Sequence, residues 1–210
     1  MDPVAIISII YKEPEWAQTE RCLDLCDCPK FYVDRGGVGS LAKAINSGFK
    51  AWASGFEYIW FVTNVTFSPE CLPALLREAR DGGYAGITPA FNSDHLFCRP
   101  DPEKTVTEVP FIEFTAPLVR AQVFREIPLD EAMPYWGHDL DWGCRVRQAG
   151  EQLAVLHTQQ LGHVYIRNNL TLNRYTLQRR AARRATNGST RQALRHKYGE
   201  NWKEVLGWVG

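Results

Sequence analysis

Val4-Ala-Ile-Ile-Ser-Ile-Ile10 is a nearly continuous apolar run rich in β-branched residues. A strand with one wet face alternates polar and apolar; a run without alternation suits a strand covered on both faces of a parallel sheet. The residues that follow set a rhythm. Pro14 stands at the tolerated first turn of a helix reaching about Asp24. Phe31-Tyr-Val-Asp34 reads as a second strand, and Ser40 as the cap of a helix over residues 41–52. Tyr58-Ile-Trp-Phe-Val62 is a third buried strand, Pro69 to about Arg80 a third helix, and Tyr84 to Thr88 a fourth strand. This alternation predicts a three-layer α/β/α sandwich around a mostly parallel central sheet. Such sheets bind ligands at the carboxyl ends of their strands. Here those ends carry Tyr11 with Glu13, Asp34 with Arg35, and Asn64 with Thr66.

Composition narrows the class. At 210 residues the chain holds one substantial core, and its 45% hydrophobic content is that of an ordinary folded protein. The first apolar run is far too short to cross a bilayer, and no cleavable signal precedes it, which predicts a cytoplasmic protein. The six cysteines form no regular framework and read as reduced thiols; Cys22, Cys26 and Cys28 lack the second pair that zinc needs. A net charge of zero hides an asymmetry. Residues 174–210 carry nine Lys or Arg against two acids, and the preceding residues fifteen against twenty-two. Arg179, Arg180, Arg183 and Arg184 would form one cationic stripe on a helix. Its partner is an anionic surface (a peripheral membrane contact, an acidic acceptor or nucleic acid) or the acidic body of the same chain.

Residues 89–130 read as irregular and proline-rich, with a strand at 111–116; further short strands fall at 153–156 and 164–166. Between them lies Met133-Pro-Tyr-Trp-Gly-His-Asp-Leu-Asp141, followed by a short helix that Gly150 stops. Residues two apart on a helix face different ways, so Asp139 and Asp141 have separate roles. Asp141 has Arg145 four residues on and is absorbed by a structural pair. Asp139 has only Gly143 at that offset and is left as a candidate general base, beside Tyr135, Trp136 and His138. The plain alternative is that both acids complement the helix dipole.

Taken in order, these segments resemble the GT-A glycosyltransferases, in particular the family-2-like inverting group. The carriers are Ile6-Ile-Ser-Ile-Ile-Tyr-Lys-Glu-Pro14, Tyr32-Val-Asp34, Gly39-Ser-Leu-Ala-Lys-Ala-Ile-Asn-Ser-Gly48, Trp60-Phe-Val-Thr-Asn-Val-Thr-Phe-Ser-Pro69, and Gly137-His-Asp-Leu-Asp141 with Arg145, Gly150 and His163. The resemblance spans about residues 4–166. It implies a nucleotide-sugar domain over residues 1–172, with a nucleotide-binding half at about 1–88 and an acceptor-side half at about 89–172. Residues 173–210 are then a basic helical extension. It implies that Asp139 is the base that activates an acceptor hydroxyl, with Asp141 orienting its helix. Tyr11, Glu13, Asp34, Lys43, Asn64 and Thr66 hold the nucleotide sugar. Trp136 and His138 line the acceptor pocket, and His163 contacts metal or diphosphate.

Two departures stand out. The metal motif has Val65 in the place of an acid, and valine offers no oxygen to Mg²⁺ or Mn²⁺. His138 stands where the family usually has glutamate. A second reading is therefore a non-catalytic nucleotide- or sugar-binding relative, and a third a nucleotidyltransferase. The third lacks the glycine- and lysine-rich loop it needs after the first strand. The acceptor, whether glycan, protein, glycolipid or nucleic acid, is not written in these residues.

Overall fold

In the computed structural model, which describes residues 2–10, 16–34, 40–93, 95–133, 136–163 and 188–208, the apolar runs form one seven-stranded sheet. Strands β1 (Asp2–Ile10), β2 (Lys30–Asp34), β3 (Phe56–Val62), β5 (Gly86–Ala90) and β8 (Leu153–Gln160) share one direction. Strands β6 (Val106–Glu108) and β7 (Leu118–Arg120) run against them. The order across the sheet is β2-β1-β3-β7-β5-β8-β6. A separate ribbon pairs β4 (Val65–Thr66) with β9 (Gly162–His163), setting Val65 opposite His163.

Pleat parity assigns the layers. Ile7, Phe31 and Phe61 fall in register on one face of β1, β2 and β3. Helix α2 (Leu41–Trp52) covers that face, stacking Trp52 on Phe31 at 5.4 Å between ring centroids. Helix α4 (Ala121–Glu126) joins it through Phe124, 5.1 Å from Phe61 and 4.8 Å from Phe49. Ser8 points to the other face, where Trp16 Nε1 of α1 (Trp16–Leu23) donates to its Oγ at 3.2 Å. Helix α3 (Cys71–Asp81) packs along β5, β7 and β8. Val4, Ala5, Ile6, Ile7 and Ile9 are all buried, so the opening run is covered on both sides. The expected sandwich is present.

The acceptor-side half departs from expectation in detail. Residues 111–116 are not a strand. Phe111, Ile112, Phe114 and Ala116 are buried, but the segment is an irregular crossing bracketed by Pro110 and Pro117, which lack N–H donors. It is tied to β3 by Thr63 N–H to Thr115 O at 3.0 Å and by Trp60 Nε1 to Ala116 O at 2.9 Å. The three-residue β6 and β7 and the six-residue α4 are too short to leave a periodic signal. The fourth strand begins at Gly86, not Tyr84, because Tyr84 N–H is used in a turn to Ala79 O.

Helix α5 (His138–Gln148), a helix α6 at residues 188–198 and α7 (Trp202–Leu206) pack together beside the main core. They share a smaller cluster of Phe111, Met133, Leu140, Cys144, Leu194, Trp202 and Leu206. Among the described residues, no helix is long and apolar enough to cross a membrane. Tyr11, Glu13, Tyr135, residues 36–39 and 164–166, the stripe of Arg179, Arg180, Arg183 and Arg184, and the side chain of His163 lie outside what is described.

Candidate active site

The site is built where α5 begins. Gly137 has φ of 88°, a left-handed conformation that glycine adopts at little cost. The chain turns there and brings His138, Asp139 and Asp141 into the positive end of the helix. Asp139 is half-buried, and its Oδ1 accepts from Leu140 N–H at 3.0 Å. Among the described residues no salt bridge reaches it. One turn on, Gly143 presses against the 110–111 crossing, where a Cβ would stand 2.5 Å from Phe111 Cβ and 2.8 Å from Pro110 O. Only glycine lets α5 sit this close.

Asp141 has a different environment, fully buried at 0% exposure. Its carboxylate accepts from Arg145 Nε at 2.8 Å, from Lys197 Nζ at 2.6 Å, and from the Tyr198 hydroxyl. Lys197 also reaches Asp130 Oδ2 at 2.7 Å, joining α6 to the loop ahead of α5. That loop is stapled further. Trp142 Nε1 donates to Ile127 O at 2.7 Å, Arg145 Nη2 to Pro128 O at 2.7 Å, and Asn46 Nδ2 to Leu129 O at 2.9 Å. Leu129 N–H returns a bond to Asn46 Oδ1 at 3.1 Å.

These contacts shift ionisation. Burial alone would lower the Lys197 ammonium, but its bonds to Asp130 and Asp141 outweigh it and hold the pKa above 10.5. Tyr198 is pushed up from 10.0 by burial and then by its bond to Asp141. Both folded values exceed the unfolded ones, so their stabilisation is complete below about pH 10 and is lost as pH rises through the folded values. Thermal melts followed by tryptophan fluorescence should therefore show a falling midpoint above pH 10. A midpoint flat to pH 11.5 would mean that the pair does not hold α6.

A further carboxylate lies on the segment that the sequence reads as a strand. Glu113, half-buried on the 111–116 crossing, accepts a bond from Ser93 Oγ just beyond β5, and Ser93 Oγ accepts from His95 N–H at 3.0 Å. The buried Cys98 thiol is pushed far up by burial, then by the charges of Glu113 and Asp139. The available signal was an acid inside the apolar run Phe111-Ile-Glu-Phe114.

The remaining candidates are spread over the start of α5, the ends of β2 and β3, and the first turn of α2. His138 is buried, edge-on to Phe114 at 6.3 Å. Trp136 is half-buried, 5.6 Å from Trp208, whose ring lies 4.8 Å from His95. Asn64 lies between β3 and β4, and Thr66 Oγ1 donates to Gly162 O at 3.4 Å. Asp34 ends β2, and Lys43 is exposed in the first turn of α2, where its N–H donates to the Ser40 Oγ cap at 3.2 Å. Those two occupy the β2 flank, separated from β3 by β1.

The described residues at the metal-motif position do not fit a divalent cation. Val65 is fully buried, its N–H donating to Thr19 Oγ1 at 3.0 Å, and the Thr63 hydroxyl is committed to Thr115 O at 3.0 Å. Asn64 and Thr66 supply neutral oxygens, a poor set for a hard cation. Among the described residues no group of three or more His, Cys, Asp or Glu side chains is placed to hold a metal.

No protein-family model matches the chain, and no curated protein does. Solved structures do. GalNAc-T7, crystallised with UDP, GalNAc and Mn²⁺, superposes with a TM-score of 0.62 at 11% identity, over 78% of this chain and 44% of its own. TarS of S. aureus, residues 1–349, superposes at 0.59 and 14% identity, over 77% of this chain and 60% of its own. A197 from STIV superposes at 0.56 and 11% identity, over 79% of this chain and 86% of its own. The chain spans less than two thirds of the GalNAc-T7 and TarS chains it matches. At these identities the likeness is one of fold, and the fold is that of the GT-A glycosyltransferases.

Proposed function

We propose that the chain transfers a sugar from a nucleoside-diphosphate sugar to an acceptor hydroxyl with inversion, Asp139 acting as general base. The observation that carries this is the contrast between the two acids of α5. Asp141 is enclosed by three donors, whereas Asp139, one half-turn away, stays half-buried outside any salt bridge among the described residues. TarS is also known in complexes with UDP and with UDP-GlcNAc, which favours a uridine nucleotide as the first donor to try. In the reaction the acceptor oxygen bonds to the anomeric carbon as the bond from that carbon to the phosphate oxygen breaks. Asp139 takes the hydroxyl proton, and the nucleoside diphosphate leaves with the bonding electrons. Asp34, Lys43, Asn64 and Thr66, with Tyr11 and Glu13, are assigned to the donor; Trp136 and His138 to the acceptor. Asp141 orients α5, and His163 is assigned to the diphosphate. The basic extension is assigned to an anionic acceptor or a peripheral membrane surface in the cytoplasm.

A second reading, a nucleotide- or sugar-binding relative without catalysis, is favoured by one observation. Val65 is part of the core where an acid would hold metal. One experiment addresses both. Thermal shift is measured against nucleotides and nucleotide sugars, with Mn²⁺ or with EDTA, and nucleotide release is then followed for each ligand that binds. Saturation at about 100 times Kd should stabilise the fold by about 2.7 kcal/mol. EDTA should change binding and turnover less than about threefold, since the described donors form only a weak cation site. A tight Mn²⁺ requirement would overturn the metal-independent form of the proposal. Binding without nucleotide release would favour the second reading, and no shift with any nucleotide or nucleotide sugar would sink the first reading and the nucleotide-binding form of the second.

A further inference from the structure

Helix α6 rests directly on the turn that delivers Asp139. A Cβ on Gly137 would stand 3.1 Å from Thr190 Cγ2 and 3.3 Å from Leu194 Cδ1. One turn beyond Leu194, Lys197 spans two acids that bracket the turn, Asp130 before it at 2.7 Å and Asp141 after it at 2.6 Å. Tyr198 adds its hydroxyl to the same Asp141 carboxylate. The segment between these anchors carries Trp136, Gly137, His138 and Asp139. A single ammonium thus fixes both ends of the candidate acceptor turn from a helix nearly sixty residues further along the chain. Surface ion pairs contribute little, but here the shared carboxylate is fully buried and the bridge closes a ring of contacts.

We propose that Lys197 and Tyr198 are positioning residues that hold the Asp139 turn in its reactive geometry from the C-terminal helix. The proposal rests on Asp139 being the base, and it deepens that reading by making α6 part of the machinery. Holding a base within a few tenths of an ångström acts on the chemical step, because a misplacement of about 1 Å costs as much as 100-fold. The donor assignments lie on other elements, so donor affinity should not follow.

The test uses the full chain carrying Lys197→Met, and Tyr198→Phe as the milder change that keeps both charges. If Lys197→Met alone folds poorly, Lys197→Met with Asp141→Asn removes both members of the buried charge pair. Hydrogen–deuterium exchange comes first, since it needs no substrate. Amides of residues 136–142 should exchange at least about tenfold faster in Lys197→Met, which loses the charged hydrogen bonds to Asp130 and Asp141, while β1 and β3 are unchanged. Exchange equal to wild type would overturn the proposal. UDP release from UDP-GlcNAc, with water as acceptor, is the second measurement. Here kcat should fall about tenfold with the donor KM unchanged. A raised KM at unaltered kcat would overturn a positioning role and make α6 a donor contact. Asp139→Asn is run alongside. If it releases UDP as fast as wild type, the base assignment fails and with it the catalytic half of the proposal. If Asp139→Asn is inactive and Lys197→Met is not slowed, the positioning claim alone is overturned.

Discussion

Replacing Asp139 with asparagine is expected to lower transfer by roughly 100- to 10,000-fold, the contribution of a positioned base. The fold should survive it. The one hydrogen bond to the side chain among the described residues, from Leu140 N–H to Oδ1 at 3.0 Å, can be made equally to the asparagine oxygen. No salt bridge among the described residues is broken. Nucleotide affinity, measured by calorimetry, should stay within about twofold of wild type, since the proposed donor contacts lie on other strand ends. Turnover above about a tenth of wild type would remove Asp139 from the role, because a base of ordinary effectiveness contributes more than that.

Asp141→Ala should act oppositely, on stability before chemistry. The substitution leaves Tyr198, Lys197 and Arg145 without their common acceptor. Breaking a buried ion pair from one side typically costs 3–5 kcal/mol. The lower end applies, because Arg145 keeps Pro128 O, Lys197 keeps Asp130, and both are partly exposed at 25% and 35%. A loss of about 3 kcal/mol corresponds to a melting point roughly 6–12 °C lower for a chain of this size. Asp141→Asn retains an acceptor oxygen and should lose less. An alanine variant melting within about 2 °C of wild type would show that the ring of donors contributes little to the fold.

The sheet was legible because its signal is continuous. Val4 to Ile10, but for Ser8, and Tyr58 to Val62 are apolar without alternation, as burial on both faces requires. The Ser40 cap likewise sits where its residue type predicts. Residues 111–116 show the limit of the same reasoning. Burial alone made them apolar, and two prolines with strand-end hydrogen bonds, not a ladder, fixed their path. The helical offset that separates Asp139 from Asp141 could be read from spacing. The partnership of Asp141 with Lys197 and Tyr198 could not, because no local periodicity connects residues so far apart in sequence. Glu113 was hidden for a related reason: its neighbours Ser93 and Cys98 come from beyond another strand.

The loop ahead of α5 is irregular in backbone yet fastened at Ile127, Pro128, Leu129 and Asp130 by Trp142, Arg145, Asn46 and Lys197 respectively. Ordering a backbone residue costs about 1–2 kcal/mol in lost conformational freedom. Here that loss is incurred once, when the chain folds, and is not incurred again when a ligand arrives. Most binding loops surrender freedom at the moment of contact, and their affinity is reduced accordingly. If the proposed transfer holds, a surface fastened in advance keeps that part of its interaction free energy for discrimination among ligands. It also gives the chain little latitude to reshape itself around a poorly fitting one.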